Sequence, residues 1–151
     1  MRAVLQRVTS AQVKIEGEIK GECQQGFLVL LGVKQGDTEK EADFLANKVA
    51  NLRIFSDEND KMNLSLLDIE GEALVISNFT LYADCSHGRR PNFLNAEKPQ
   101  KANELYEYFC TRLKEQGVKS VEKGEFGADM KVSLLNDGPV TIILDTEEIM
   151  K

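Results

Sequence analysis

Two short segments of this chain carry residue types that could do chemistry on an acyl group. Ser77-Asn78-Phe79-Thr80-Leu81 closes an apolar run that reads as a buried strand. A strand end there offers backbone N–H groups beside the hydroxyls of Ser77 and Thr80. Fixed N–H donors in a dry site stabilise the oxyanion that forms when an ester carbonyl is attacked. Thr80 adds a hydroxyl as a donor or positioning group. The same residues also have a plain structural use, because hydroxyls at a strand end satisfy local backbone groups. From these residues alone the structural use prevails.

The second segment is Asn136-Asp137-Gly138-Pro139-Val140-Thr141. Asn-Asp-Gly is a good hairpin turn by composition, and Pro139 would then begin an edge strand. The alternative is a cis bond before Pro139, a feature that tight turns maintain. Such a bond aims two carbonyl oxygens in nearly one direction, where they can hold an ammonium group and leave no room beside it. His87 is the only histidine and so the obvious base at neutral pH. It lies in a polar loop with no evident orienting partner, and we discount it. Arg89-Arg90 is the only adjacent arginine pair; it fits a solvated turn or a contact with one RNA terminus. No nucleotide-phosphate loop, metal motif or nucleophile elbow is present.

The elements that must position these residues follow from the pattern. Residues 1–151 are expected to form one domain, burying about 70% of the unfolded surface without staples. No run reaches the roughly 18 apolar residues of a membrane span, and Met1–Arg7 reads directly into a strand instead of a signal peptide. A cytoplasmic location is expected. Cys23, Cys85 and Cys110 are odd in number and widely spaced, and with one histidine they argue against a zinc site. They are expected to be reduced thiols. The net charge of −6 argues against broad nucleic-acid binding, which needs a basic surface.

Ala3-Val4-Leu5 and Val8 lead into Gln12–Ile15, which alternates as strand, Glu16-Gly17-Glu18 turns, and Ile19 to Cys23 returns. Phe27–Leu31 is continuously apolar, the pattern of a strand covered on both faces. Thr38 with Glu41 fits a capping box, followed by Ala42, Leu45, Val49 and Leu52 on one helix face. Arg53–Phe55 is a short strand, and Ala73–Phe79 is a second buried one. Ala83–Lys98 has little periodicity and reads as a long loop. Pro99 opens a second helix with Ala102, Leu105, Phe109 and Leu113 inward, stopped by Gly117. Strands follow at Val118–Val121, Met130–Leu134 and Val140–Leu144. The fold class is α+β, a mainly antiparallel, barrel-like sheet system with two principal helices.

These segments, taken in order, resemble the D-aminoacyl-tRNA deacylases. The likeness runs through Met1–Val8, Ala50–Phe55, Lys61–Ser65, Leu81–Asp84, Gly88–Pro91, Phe126–Met130 and Asn136–Thr141, so it spans essentially the whole chain. The family writes the two motifs Ser-Gln-Phe-Thr-Leu and Asn-x-Gly-Pro-Val-Thr. This chain keeps the second and departs from the first at Asn78, whose amide is one methylene shorter.

The resemblance implies a carboxylic ester hydrolase that releases D-amino acids from tRNA in translation quality control. It implies a homodimer with each active site at the subunit interface, acting on the 3′-terminal aminoacyl-adenosine, with no cofactor, metal or membrane. Backbone N–H groups of Phe79 and Thr80, with Ser77 beside them, would hold the scissile carbonyl. Gly138 and Pro139 of the other subunit would hold the α-amino group and exclude L side chains. Glycine, as on mischarged tRNA-Ala, would be poorly rejected. Thr80 is the family's traditional nucleophile candidate; the competing view gives water the attack, assisted by the 2′-hydroxyl of the terminal adenosine. No base is visible beside Thr80, and an unassisted threonine hydroxyl is a weak nucleophile. Arg7 would brace the proline loop across the interface, and Phe126 and Met130 would line the pocket. Asn78 puts the amide's role in doubt. The other readings are an editor of achiral or L-aminoacyl-tRNA, and a nucleic-acid-binding protein without catalysis.

Overall fold

The computed structural model describes residues 1–151. Its spine is β1 (Arg2–Ile15), in which Ala3, Leu5, Val8, Ala11 and Val13 are buried. Buried side chains should recur every second residue along a strand. Here the phase jumps between Leu5 and Val8, and again between Val8 and Ala11. Both jumps coincide with register slips against β8 (Lys131–Asp145), the last and longest strand.

A turn with Glu16 and Gly17 at positive φ, the pair a tight hairpin requires, leads into β2 (Glu18–Cys23). β3 (Gly26–Gly32) runs antiparallel along the first half of β1. The chain then crosses over through α1 (Glu39–Asn51) to β6 (Glu72–Ser77), passing the two-stranded ribbon β4 (Phe55–Ser56) and β5 (Met62–Leu64). A second crossover through α2 (Pro99–Glu115) reaches β7 (Ser120–Lys123). Crossovers of this length produce parallel pairs, and β3–β6 and β6–β7 are parallel. The expected antiparallel system is therefore joined to a parallel one, and Phe27–Leu31 owes its unbroken apolar run to lying there. A short third helix, α3 (Thr146–Ile149), has no counterpart in the sequence pattern.

The cap of α1 is as the pattern required. The Thr38 N–H donates to Glu41 Oε2 at 2.7 Å, and Thr38 Oγ1 accepts from Lys40 N–H at 3.2 Å. Pro99 opens α2, and Gly117 follows its end at φ 108°. The strand placed at Val118 starts at Ser120, since Val118 is drawn into the helical core. The strand placed at Arg53 starts at Phe55, because Arg53 turns outward to donate to the Asn63 carbonyl at 2.9 Å.

The helices cover one face of the sheet over a large core containing Phe27, Val29, Leu45, Val75, Tyr106 and Phe109. The other face curls round a smaller core of Val8, Ala11, Val13, Cys23, Leu28, Leu74 and Ile76. All three cysteines are free thiols. Burial pushes Cys23 and Cys110 up to about 12, so both stay protonated packing groups. No helix is long and apolar enough to cross a membrane.

The curl nearly closes where β2 approaches β7. The Glu22 N–H donates to the Glu122 carboxylate at 2.9 Å. A Cβ at Gly21 would stand 2.7 Å from the Lys123 carbonyl oxygen and 3.1 Å from Leu74 Cδ1. Backbone cannot yield there as a side-chain tip can. Gly21→Ala is therefore expected to cost about 1–3 kcal/mol, read as a lowered urea midpoint at unchanged m-value.

Candidate active site

The parallel strands β3, β6 and β7 deliver their C-terminal ends to one edge of the sheet. The first motif emerges there. Ser77, half-buried, pairs with Leu31, and the Asn78 N–H donates to the Leu31 carbonyl at 2.8 Å. The strand then stops, and Phe79–Tyr82 coil into one 3₁₀ turn. The sequence pattern carries the strand through Phe79. Gly32 explains the change: a Cβ there would lie 3.0 Å from Leu81 Cβ and 3.2 Å from the Asn78 carbonyl oxygen, so the chain wraps directly over it.

Inside the turn, the Leu81 N–H donates to the Asn78 carbonyl and the Ala83 N–H to the Thr80 carbonyl. The leading N–H groups of such a turn, here Phe79 and Thr80, have no partner within it. Both residues are exposed. Arg2 pins the turn from below: its Nη1 donates to the Leu81 carbonyl at 2.6 Å and its guanidinium lies 4.8 Å from the Tyr82 ring centroid. The same guanidinium donates to Asp145 at 2.8 Å and 3.0 Å. Burial would raise the Asp145 carboxyl, but the Arg2 bonds and the Glu147 N–H outweigh it and hold it below the usual range. Arg2 gave no signal in the sequence beyond its place in β1.

The Thr80 hydroxyl donates to Asn78 Oδ1. An amide oxygen accepts a hydrogen bond but does not serve as a base. His87, the one histidine, is exposed and meets Ser86 Oγ at 2.9 Å. The short Asn78 amide is thus engaged locally. Phe79 meets Phe93 edge-on at 5.1 Å, a contact no spacing predicted.

The segment after β7 rises beside the same edge, since Lys123 pairs with Val75. It carries Phe126 and Met130, but the two do not share one pocket. Met130 packs on the barrel core, its sulfur 2.5 Å from where a Gly124 Cβ would stand. Phe126 packs towards the helical core, 6.4 Å from the Tyr106 ring, and lines a surface hollow of about 620 Å³.

The second motif is no hairpin. Asn136–Thr141 lies within β8, and the strand runs in one direction on both sides of it. Val8 pairs with Asn136 and Gln6 with Thr141, so four residues, Asp137–Val140, bulge out opposite Arg7 alone. Composition could not reveal this, because the partner that makes it a bulge is β1. The Gly138-Pro139 bond is cis, and both residues are exposed. Gly138 has φ 150°, and a Cβ there would meet Val140 N at 2.6 Å.

Asn136 closes the neck of the bulge. Its Nδ2 donates to the Arg7 carbonyl at 3.2 Å and the Val140 carbonyl at 3.0 Å, while Oδ1 accepts from the Val140 N–H at 3.1 Å. Arg7 holds the tip: Nε donates to the Asp137 carbonyl at 3.0 Å and Nη1 to the Ile54 carbonyl at 2.7 Å. Within its own chain, Arg7 thus braces the proline segment, because the two lie across one β1–β8 rung.

The two motifs do not meet within one chain. Three strand spacings separate β6 from β8, roughly 14 Å across the sheet, and the rungs differ by roughly 10–17 Å along β1. Flanking the bulge, Leu135 and Ile143 are 62% and 66% exposed.

A family model described as D-Tyr-tRNA(Tyr) deacylase matches residues 4–145. A D-aminoacyl-tRNA deacylase of Clostridium botulinum is 60% identical over 148 residues, 98% of this chain and 99% of that protein. One from Thermosipho melanesiensis is 55% identical over 149 residues, 99% of both. A solved structure of a c-Myc DNA Unwinding Element Binding Protein superposes with a TM-score of 0.91 at 39% identity, covering 96% of this chain and 98% of that one.

The three bonds of Asn136 yield a stability test. Asn136→Ala leaves the Val140 N–H and two carbonyls without their partner and is expected to cost about 2–3 kcal/mol. Asn136→Asp keeps only the acceptor and faces the carbonyls with charge, so it should rescue little. Urea denaturation of both variants checks this.

Proposed function

This chain belongs to the D-aminoacyl-tRNA deacylase family and is a hydrolase of the aminoacyl-tRNA ester; from that premise we propose that it rejects L-aminoacyl-tRNA through a Gly138-Pro139 gate supplied by a second copy. The observation that carries the reading is the separation of the two motifs. Phe79 and Thr80 lie exposed at one sheet edge, and Gly138 and Pro139 lie exposed on a bulge three strands away. A site that uses both takes one from each of two chains. The apolar side chains of Leu135 and Ile143 beside the bulge favour burial against such a copy.

In this reading the N–H groups of Phe79 and Thr80 hold the carbonyl oxygen of the ester joining the amino acid to the 3′-terminal adenosine, with Ser77 fixing the strand behind them. Water adds to the carbonyl carbon, with the adenosine 2′-hydroxyl assisting its deprotonation. The tetrahedral intermediate then collapses, the 3′-oxygen leaves with a proton, and the free amino acid departs. Carbonyls of the Gly138-Pro139 segment hold the α-ammonium and crowd the position of an L side chain, so selection works by exclusion. Glycine lacks the side chain that is excluded, so glycyl-tRNA is also cleaved. Phe126 borders the site, and Asn78 orients the Thr80 hydroxyl. The reaction needs no metal, and the enzyme works in the cytoplasm.

A binder without catalysis is suggested only by the name of the DNA-element-binding neighbour, and the net charge of −6 opposes it. An editor of L or achiral substrates rests on Asn78 alone.

The test is hydrolysis of D-tyrosyl-, L-tyrosyl- and glycyl-tRNA by the purified protein in chelator. The D and glycyl esters should disappear while the L ester persists; cleavage of the L ester overturns the gate. Thr80→Ala removes one neutral hydrogen bond, and its kcat should fall no more than about tenfold. A loss beyond about a thousandfold would make Thr80 the nucleophile.

A further inference from the structure

The chain has six arginines. Arg2, Arg7, Arg53 and Arg112 each spend their guanidinium on acceptors of the fold. Arg89 and Arg90 make no hydrogen bond or ion pair. They stand at the tip of the loop between the 3₁₀ turn and α2, where residues 85–95 are exposed throughout. No aspartate or glutamate occurs from Cys85 to Ala96, in a chain with 25 acidic residues. The nearest carboxylate in the chain, Asp84, accepts from Ser86 N–H and Oγ and is occupied.

The loop is held in place. Asp84 and Asn92 exchange two backbone bonds of 2.7 Å and 2.9 Å that close its neck. The Gln35 N–H donates to the Asn95 carbonyl, and the Glu97 N–H to the Val33 carbonyl, both at 2.9 Å. Phe93 lies against Phe79, the residue next to Thr80. The two guanidiniums are therefore carried on a braced arm that starts at the ester-binding turn. His87, Gly88, Arg89 and Arg90 line an open concavity of about 540 Å³.

Beside a site that takes an RNA terminus, the charged group that complements an unpaired guanidinium is the phosphodiester. We infer that Arg89 and Arg90 bind the phosphates of the tRNA acceptor strand next to the ester, and give an acidic chain positive charge at that point. This rests on the deacylase reading above. It adds the element that distinguishes an aminoacyl-tRNA from a small ester carrying the same amino acid.

The experiment compares wild type, R89A/R90A and R89K/R90K on D-tyrosyl-tRNA and on 3′-O-D-tyrosyl-adenosine, which has no phosphate. KM for the tRNA should rise about tenfold in the alanine variant at unchanged kcat. The slope of log KM against log salt should shrink by about 1.4, the value for two single-strand phosphate contacts. The lysine variant should retain the slope, and the phosphate-free ester should be cleaved equally by all three. An unchanged tRNA KM and slope, or equal losses on both substrates, overturns the inference. Binding of uncharged tRNA, titrated against salt, decides the same point without turnover. Wild type that cleaves neither D ester would sink the deacylase reading, while that titration still decides the role of the arginines.

Discussion

The rung between Arg7 and the Asp137–Val140 bulge is the constraint on which the rest depends. β1 must stay continuous, because its first half joins β3 and its second half joins β2, with β8 along the other side. A four-residue excursion in β8 would ordinarily end the ladder. It does not, because Asn136 replaces the missing backbone bonds across the neck and Arg7 ties the tip to Ile54. The bulge can then carry exposed Gly138 and Pro139 without loosening the barrel. The buried phase of β1 shifts at Val8 to accommodate it, so the excursion is built into the core and is not an ornament on its surface.

The parallel half of the sheet imposes the complementary order. Two helical crossovers force β3, β6 and β7 to end together, and ligand sites gather where parallel strands present their carboxyl ends. The 3₁₀ turn, the arginine arm and the Gly124–Met130 segment all leave from that edge. Arg2 then couples the edge to the far end of β8, because one guanidinium bonds both the Leu81 carbonyl and Asp145. Both motifs are thus anchored to β1, one through Arg2 and one through Arg7, although they stand far apart.

Much of this was legible in the chain. The capping box at Thr38, Pro99 and Gly117 around α2, the Glu16-Gly17 turn and the apolar run of β3 are local signals, and local physics decided them. What escaped is non-local. Asn136-Asp137-Gly138 has hairpin composition, and only the presence of β1 on both sides makes it a bulge. Phe79 looks like the end of a strand, and only the bare surface of Gly32 lets Phe79–Tyr82 coil over it. Arg7 is one arginine among six until Asp137 and Ile54 are brought to it. The phase jump of apolar residues at Val8 was in the sequence, and it was the one trace of the bulge that could have been read.

The same distinction between local and non-local bears on Asn78. Its amide oxygen accepts from the hydroxyl two residues on. The hydroxyl of Thr80 is consequently a donor to a group that cannot deprotonate it. His87, for its part, is exposed on the arm with Ser86 as its partner. In the proposed reading, the chemistry at this edge falls to backbone geometry. Backbone donors depend on where the chain turns, and that is fixed by Gly32, Leu31 and Arg2 instead of by the identity of residue 78. In that reading the site tolerates a changed amide but not a change that moves the turn.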